Sequence, residues 1–471
     1  MTFTLFKNEL LAVFRDGRGI ATLLIGFLLA SISTWTSAST HARHDIAHDA
    51  AEGAARNAWN EREGDSPHSR AHYGDYVFRP AGPLSTLDSG LQAVTGRVIF
   101  TEGHRQNSAV HKPQQEAASL LRYDRLEPAT VLQTLLPLIL ILIGFGTISS
   151  DRESGRLKLL IIQGARPLSL LLAKSLALWV IGFSICALVV GMHLIFGEEI
   201  DFSRTFLFLA LHLAVLWIVA VLVVVVSARS RHSGSAAALL LSFWVISAIV
   251  LPRFAAITVT TLDPLPTRDV FQASMDQDRE QGMDGHNPRD SRRQELEKEI
   301  LSKYGVSSRS ELPVNIGGLI MQADEEYGAQ VWDKHFGGLE EHLMRQYAST
   351  GLFSLVNPLQ SADRLSMAIS GTGLTSHLDF LRATEEYRRE MVRKLNEEDA
   401  FGVTRSEGGR MRRTTAQDFY TGFNGFDYQP LSLRVQLQKS RLDILALCVW
   451  LLGSTVLLFL TGQKIKRGGV L

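Results

Sequence analysis

Cysteine is nearly absent from this chain. Of its 471 residues two are cysteines, Cys186 and Cys448, and each lies inside an apolar block. The polar stretches therefore hold no disulfide framework and no thiolate metal site. An excess of charge of either sign is also missing, because 48 Lys and Arg balance 48 Asp and Glu. That balance excludes a chain built to hold nucleic acid by bulk electrostatics. No Gly-x4-Gly-Lys-Ser/Thr loop occurs, nor any Gly-Lys pair, so the usual cradle for nucleotide phosphates is missing. The His-Glu-x-x-His zinc pattern and the Gly-x-Ser-x-Gly nucleophile turn do not occur either. Carboxylates are plentiful but spread over polar helix faces. The expectation is a chain that is not an enzyme, with no catalytic residues and no cofactor of its own.

What the sequence has instead is apolar residues in long runs. A helix that crosses a bilayer needs about 20 mostly apolar residues. Six stretches meet that length: 20–38, 129–148, 170–196, 205–226, 235–258 and 444–462. The first is diluted by Ser31, Ser33, Thr34 and Thr36, and the second contains Pro137. Pro252 and Arg253 near the end of the fifth read as a helix break at the membrane edge, with the arginine reaching into the headgroups. The predicted fold class is an all-α polytopic membrane protein with six transmembrane helices.

Orientation follows from Lys and Arg in the short segments. Lys7, Arg15 and Arg18 precede the first helix. Arg152, Arg156, Lys158, Arg166 and Lys174 fall between the second and third, and Arg229 and Arg231 between the fourth and fifth. Lys464, Lys466 and Arg467 follow the sixth. All four segments are expected on the cytoplasmic side, with both termini inside. The short segment with Glu198, Glu199 and Asp201 is expected outside. Within residues 1–19, Phe3, Phe6, Leu10 and Phe14 recur at helical spacing, which suits an amphipathic helix on the inner leaflet. Residues 463–471 form a short cytoplasmic tail.

Two long polar segments, 39–128 and 259–443, are then expected to be extracytoplasmic and mainly helical domains. In the second, 290–304, 318–347 and 376–398 carry helical periodicity. Residues 275–289 read as a loop, and 405–413, rich in Gly and Arg, as a mobile one. Short strands fit 76–78 and 97–101.

The most informative segment is 149–169, between the second and third helices. Its core runs Asp151, Arg152, Glu153, Ser154, Gly155, Arg156, Leu157, Lys158, Leu159, Leu160 and ends at Arg166 and Pro167, with Lys174 at the next membrane entry. This pattern resembles the cytoplasmic loop of type-2 ABC transporter permeases. Glu153, Gly155, Leu157, Leu159, Leu160, Arg166, Pro167 and Lys174 fall on the positions of that family's pattern, and Arg156 departs from it. The outer segment from Asn357 and Pro358 through Asp363 and Thr372, and the aromatic stretch 419–428, resemble the branch with large outer insertions, related to copper-enzyme-maturation permeases. The resemblance implies a bacterial inner-membrane permease that couples ATP hydrolysis to export or to force transmission. It implies that ATP and Mg bind a separate ABC ATPase subunit in two copies, since no Leu-Ser-Gly-Gly-Gln signature occurs here. It further implies pairing with a second permease copy or a sibling permease. The loop, with Asp151, Arg152 and the residues above, would be the coupling element. An extracytoplasmic protein partner would suit the large outer segments.

Histidines offer the competing reading. His41, His44 and His48 follow the first helix at spacings that share a helical face, as a transition-metal site would need. His68 and His72 repeat that spacing, and His193 and His212 lie within apolar helices. The alternative is a membrane-anchored extracytoplasmic assembly or metal-handling factor without transport.

Overall fold

The computed structural model describes residues 2–62, 66–103, 109–111, 126–197, 199–405, 411–413 and 417–467. Among the described residues six helices are long and apolar enough to cross a membrane. They are α2 (Gly17–Glu61), α4 (Pro128–Glu153), α6 (Pro167–Phe196), α7 (Phe202–Arg229), α8 (Ser233–Leu262) and α16 (Arg441–Lys466). The protein is an all-α polytopic membrane protein. A short helix, α1 (Thr2–Arg15), precedes them, and Asp16 caps α2 by accepting from the Arg18 amide. The remainder forms a polar head. Its elements are α3 (Pro67–Tyr73), α9 (Arg268–Gln281), α10 (Arg289–Tyr304), α11 (Ile316–Gly351), α12 (Pro358–Ser370), α13 (Leu374–Phe401), α14 (Gln417–Thr421) and α15 (Leu433–Lys439). Strands β1 (Asp75–Phe78), β2 (Val98–Thr101) and β3 (Ala109–His111) form an antiparallel sheet in that order, with Val77 opposite Ile99. β4 (Val403–Arg405) and β5 (Met411–Arg413) form a hairpin whose connecting residues, within the stretch expected to be mobile, lie outside the described ones.

Several expected boundaries move. The first helix continues beyond the apolar stretch 20–38, because α2 runs 45 residues and its far third belongs to the head. Residues 275–289 are not all loop, since α9 continues to Gln281 behind a Thr267 cap. The two polar segments do not form separate domains. Trp59 from the end of α2 and Ala71 from α3 share one core with Met391, Val392, Leu395, Tyr420 and Phe423. Trp59 Nε1 donates to the Tyr420 carbonyl at 3.0 Å, and the buried Arg70 guanidinium lies over the Trp59 and Tyr420 rings. A second core joins Val77 and Ile99 of the sheet to Phe380 and Tyr428.

Pro252 does not end the fifth helix. α8 passes through it with a π turn at Ile246–Val250 just before it. α4 does the same, with a π turn at Val131–Leu135 ahead of Pro137. Proline lacks an amide donor and crowds the preceding turn, so each widened turn relieves its proline. A backbone carbonyl released inside a bilayer needs a partner. Trp244 Nε1 donates to the Thr134 carbonyl at 2.8 Å, and Asn357 Nδ2 donates to the Ser247 carbonyl at 2.8 Å. The first bond ties α8 to α4, and the second ties α8 to the head.

Asn357 also caps α12, which is the seat of the head on the spans. Leu359, Ala362, Leu365 and Ile369 of α12 lie in the same core as the membrane helices. Its polar side meets α16: Arg364 Nε donates to Asp443 Oδ1 at 2.8 Å, and both groups are buried. Ser354 and Ser361 donate to the same aspartate's carboxylate and carbonyl, both at 2.7 Å. From α7, Arg204 donates to the carbonyls of Ile369 at 2.7 Å and Leu431 at 2.9 Å. Removing one partner of a buried pair strands the other and costs about 3–5 kcal/mol. Asp443→Ala is therefore expected to lower the unfolding temperature of the solubilised protein sharply. Replacing Arg364 and Asp443 together by apolar residues should cost much less.

Asp88 is buried against the same helix. Its carboxylate accepts from Ser366 Oγ and, at 3.1 Å, from the Gly90 amide. Burial pushes its pKa up to about 7, and the nearby Asp363 and Glu127 add to the rise. A raised carboxyl favours the folded state while it is protonated. That stabilisation is complete below its ordinary value of 3.8 and is lost as pH rises through about 7. Thermal unfolding followed across this range should show stability falling with pH in the native chain and a flatter profile in Asp88→Asn.

Candidate coupling site

Between α4 and α6 the chain makes a tight reversal at the end of the bundle that carries both termini. α4 ends at Glu153, and Gly155 takes a left-handed conformation, φ 75°, that starts a short helix, α5 (Arg156–Ile162). A β-carbon is disfavoured at that φ. Pro167 then opens α6, where its missing amide costs nothing. Leu157 at 1% exposure anchors α5 against the core, and Leu160 packs half-buried beside it.

Several charged residues of this segment are tied to neighbouring helices. Lys174 is buried, and its ammonium pairs with Glu9 of α1 at 2.6 Å and Asp151 at 3.0 Å. Asp151 also receives Arg156 at 2.9 Å. Arg152 donates to the Ala228 and Ser230 carbonyls, which caps the last turn of α7. Glu153 accepts from the Ser233 amide and hydroxyl, both at 2.9 Å, and so caps α8. Where α4 loosens, the Ile148 and Ser149 amides donate to Ser227 Oγ at 3.0 and 3.1 Å. One short segment thus holds α1, α6, α7 and α8 together.

Asp151, Arg152, Glu153, Arg156 and Lys174 converge in this network. Leu157 is a buried anchor and offers no contact surface. Arg166 faces outward. The outward apolar residues are Leu159 and Ile162, at 58% and 71% exposure. Ile162 escapes the sequence pattern because it reads as one more member of a leucine-rich run. The helical offset of five from the buried Leu157 is the signal that sets it on the other face. Glu9 also escapes, although it is the one acidic residue in α1.

The histidines divide. Among the described residues, the set whose ligand atoms lie within 4.8 Å of one another is His48, Asp49 and Glu52, and His41 and His44 are not part of it. His68 and His72 stack edge to face at 4.6 Å. His212 lies 2.7 Å from the Phe208 carbonyl and 3.4 Å from Gln133 Nε2, a satisfied position inside the bundle. His193 Nδ1 lies 3.1 Å from Thr86 Oγ1 at the edge of the head.

Lys174→Ala would leave Glu9 and Asp151 facing each other without their cation. Its expected effect is a loss of about 3 kcal/mol or more and release of α1, read as faster proteolysis of the first 15 residues. Unchanged protection of α1 would mean that the ion pairs do not hold it.

Two family comparisons agree with this architecture. Residues 106–272 match the ABC-2 family transporter protein family, and residues 272–429 match a domain of unknown function, DUF3526. No curated protein matches the chain. The first match spans α4 to α8 with the segment just described, and the second spans most of the head, including α12. The chain thus carries an ABC-2 family transporter permease domain over residues 106–272 followed by a DUF3526 domain over 272–429, which supports its being a transmembrane permease component of an ABC transporter.

Proposed function

We propose that this chain is the membrane subunit of an ATP-driven exporter, with α5 as the element that receives the ATPase. ATP and Mg belong to that separate subunit, present in two copies, and two permease chains pair around one pathway. The reading rests on a single observation: α5 presents exposed Leu159 and Ile162 on a base whose charges are tied into four other helices. An apolar ridge on a short rigid helix suits a groove in a partner, where apolar anchors supply most of the affinity. Closure of the ATPase dimer would push on α5. Gly155 and Pro167 bound that helix on either side, so the push reaches α4 and α6 as a lever movement. The excess of Lys and Arg around α5 and at both termini supports a cytoplasmic placement of this end. The head then lies outside the inner membrane, where it receives or hands on cargo or engages an extracytoplasmic protein.

The test is co-purification from native membranes in mild detergent. The native chain is expected to bring down a separate ATPase, and Leu159→Glu with Ile162→Glu should abolish capture while leaving the unfolding temperature within about 1 °C, since exposed substitutions change stability little. Glu153→Ala with Arg166→Ala should weaken coupling of ATP hydrolysis more than capture. If the native chain brings down no ATPase, the exporter reading fails and a membrane-anchored assembly factor without transport takes its place.

A further inference from the structure

We infer that the cavity between α2, the end of α6 and the head binds a small organic cation bearing an ammonium group. The cavity encloses about 440 Å³, the size of a small-molecule site. The one Arg or Lys among its described lining residues is Arg97, and that guanidinium is engaged by Asp45 at 2.9 Å. Four further carboxylates line the cavity: Asp49, Glu52, Glu199 and Asp427. They come from three separate parts of the chain, so the negative charge surrounds the space and is not confined to one helix turn.

Two imidazoles supply the second observation. His193, at 4% exposure, is fixed through Nδ1 by Thr86, and its Nε2 has no partner. His48 Nε2, on the opposite wall, is likewise buried without one. With the ring proton on Nδ1, donated to Thr86 in His193, the partnerless Nε2 is an acceptor, and an ammonium group donates up to three hydrogen bonds. Phe196, Phe426 and Tyr428 complete the lining with aromatic rings, a residue type that attracts a cation and packs against an alkyl stem.

A bare metal ion fits less well. The candidate ligand set His48, Asp49 and Glu52 lies along one flank of α2, and Asp49 is 81% exposed. An ion held there would leave the aromatic wall, His193 and Glu199 unused. An alkyl chain with an ammonium group would use both sides of the cavity.

The inference does not rest on the transport reading, because equilibrium binding requires no ATPase. The experiment is titration calorimetry on the full chain in detergent, with spermidine as the probe and hexane-1,6-diol and zinc chloride as comparisons. Saturable spermidine binding is expected, together with no heat from the diol. Asp49→Asn with Glu52→Gln, two solvent-facing substitutions, should weaken it at least about tenfold. Glu390→Gln, on a different face of the head, should leave it unchanged. His193→Phe should weaken binding while the doubly substituted chain and the native chain unfold at the same temperature. Failure of spermidine to saturate, or equal binding by the doubly substituted chain, would overturn the proposal. So would zinc binding that excludes spermidine and is lost in His48→Ala, which would assign the cavity to a metal.

Discussion

A buried ammonium cannot stand alone, and the arrangement of the bundle around the α4–α5 turn follows from the one at Lys174. Two carboxylates reach it from different places in the chain, Glu9 in α1 and Asp151 at the end of α4. Neither could leave without exposing a stranded charge to a medium of low dielectric. The position of α1 under the bundle, the turn at the end of α4 and the entry of α6 are therefore set by one contact. Glu153 and Arg152, adjacent in sequence to Asp151, then cap α8 and α7. A push on this segment cannot be absorbed by a single helix.

The opposite end of the bundle is built on the same principle. Lipid supplies little hydrophobic drive for helices to associate, so packing and polar partners decide which surfaces stay together. At the head these partners are Asn357 on the α8 π turn, Arg364 on Asp443 of α16, and Arg204 of α7 on the end of α12. Helix α7 thus carries polar fastenings at both ends, to the α4–α5 segment at one and to α12 at the other, and α8 carries one at its start and one to Asn357 at its middle. Between those ends the contacts are mostly apolar side chains, with a few polar bonds such as Trp244 to the Thr134 carbonyl.

Much of this was legible in the residues, and the remainder was hidden for definite reasons. The six spans announced themselves by length and hydropathy, and Asp151, Glu153 and Lys174 by a pattern of charge around a glycine turn. The prolines were visible, but their outcome was not. Whether Pro252 ends a helix or widens it depends on a donor for the released carbonyl, and that donor, Asn357, lies 110 residues away. The union of the two polar segments was hidden for the same reason. Trp59 and Tyr420 meet only after the chain has crossed the membrane several times, and no local periodicity records such a contact. The cavity at His48 and His193 also joins residues from distant elements. The regular histidine spacing on α2 drew attention to His41 and His44, whereas the partner across the cavity comes from α6.

The length of α2 bears on what the head can do. Its 45 residues span roughly 68 Å at a rise of 1.5 Å each, more than twice the hydrocarbon thickness of a bilayer, about 30 Å. One end is capped by Asp16 beside α1, which Lys174 holds, and the other end places Trp59 in the core of the head. A continuous helix resists bending, so a tilt at one end becomes a larger displacement at the other. The cavity wall formed by His48, Asp49 and Glu52 lies on this lever, and the facing His193 lies on α6, which enters the bundle at Lys174. Rotation of α2 against α6 would change the spacing between those walls. The ion pairs at Lys174 and the cavity at His193 thus lie at opposite ends of one helix, α6.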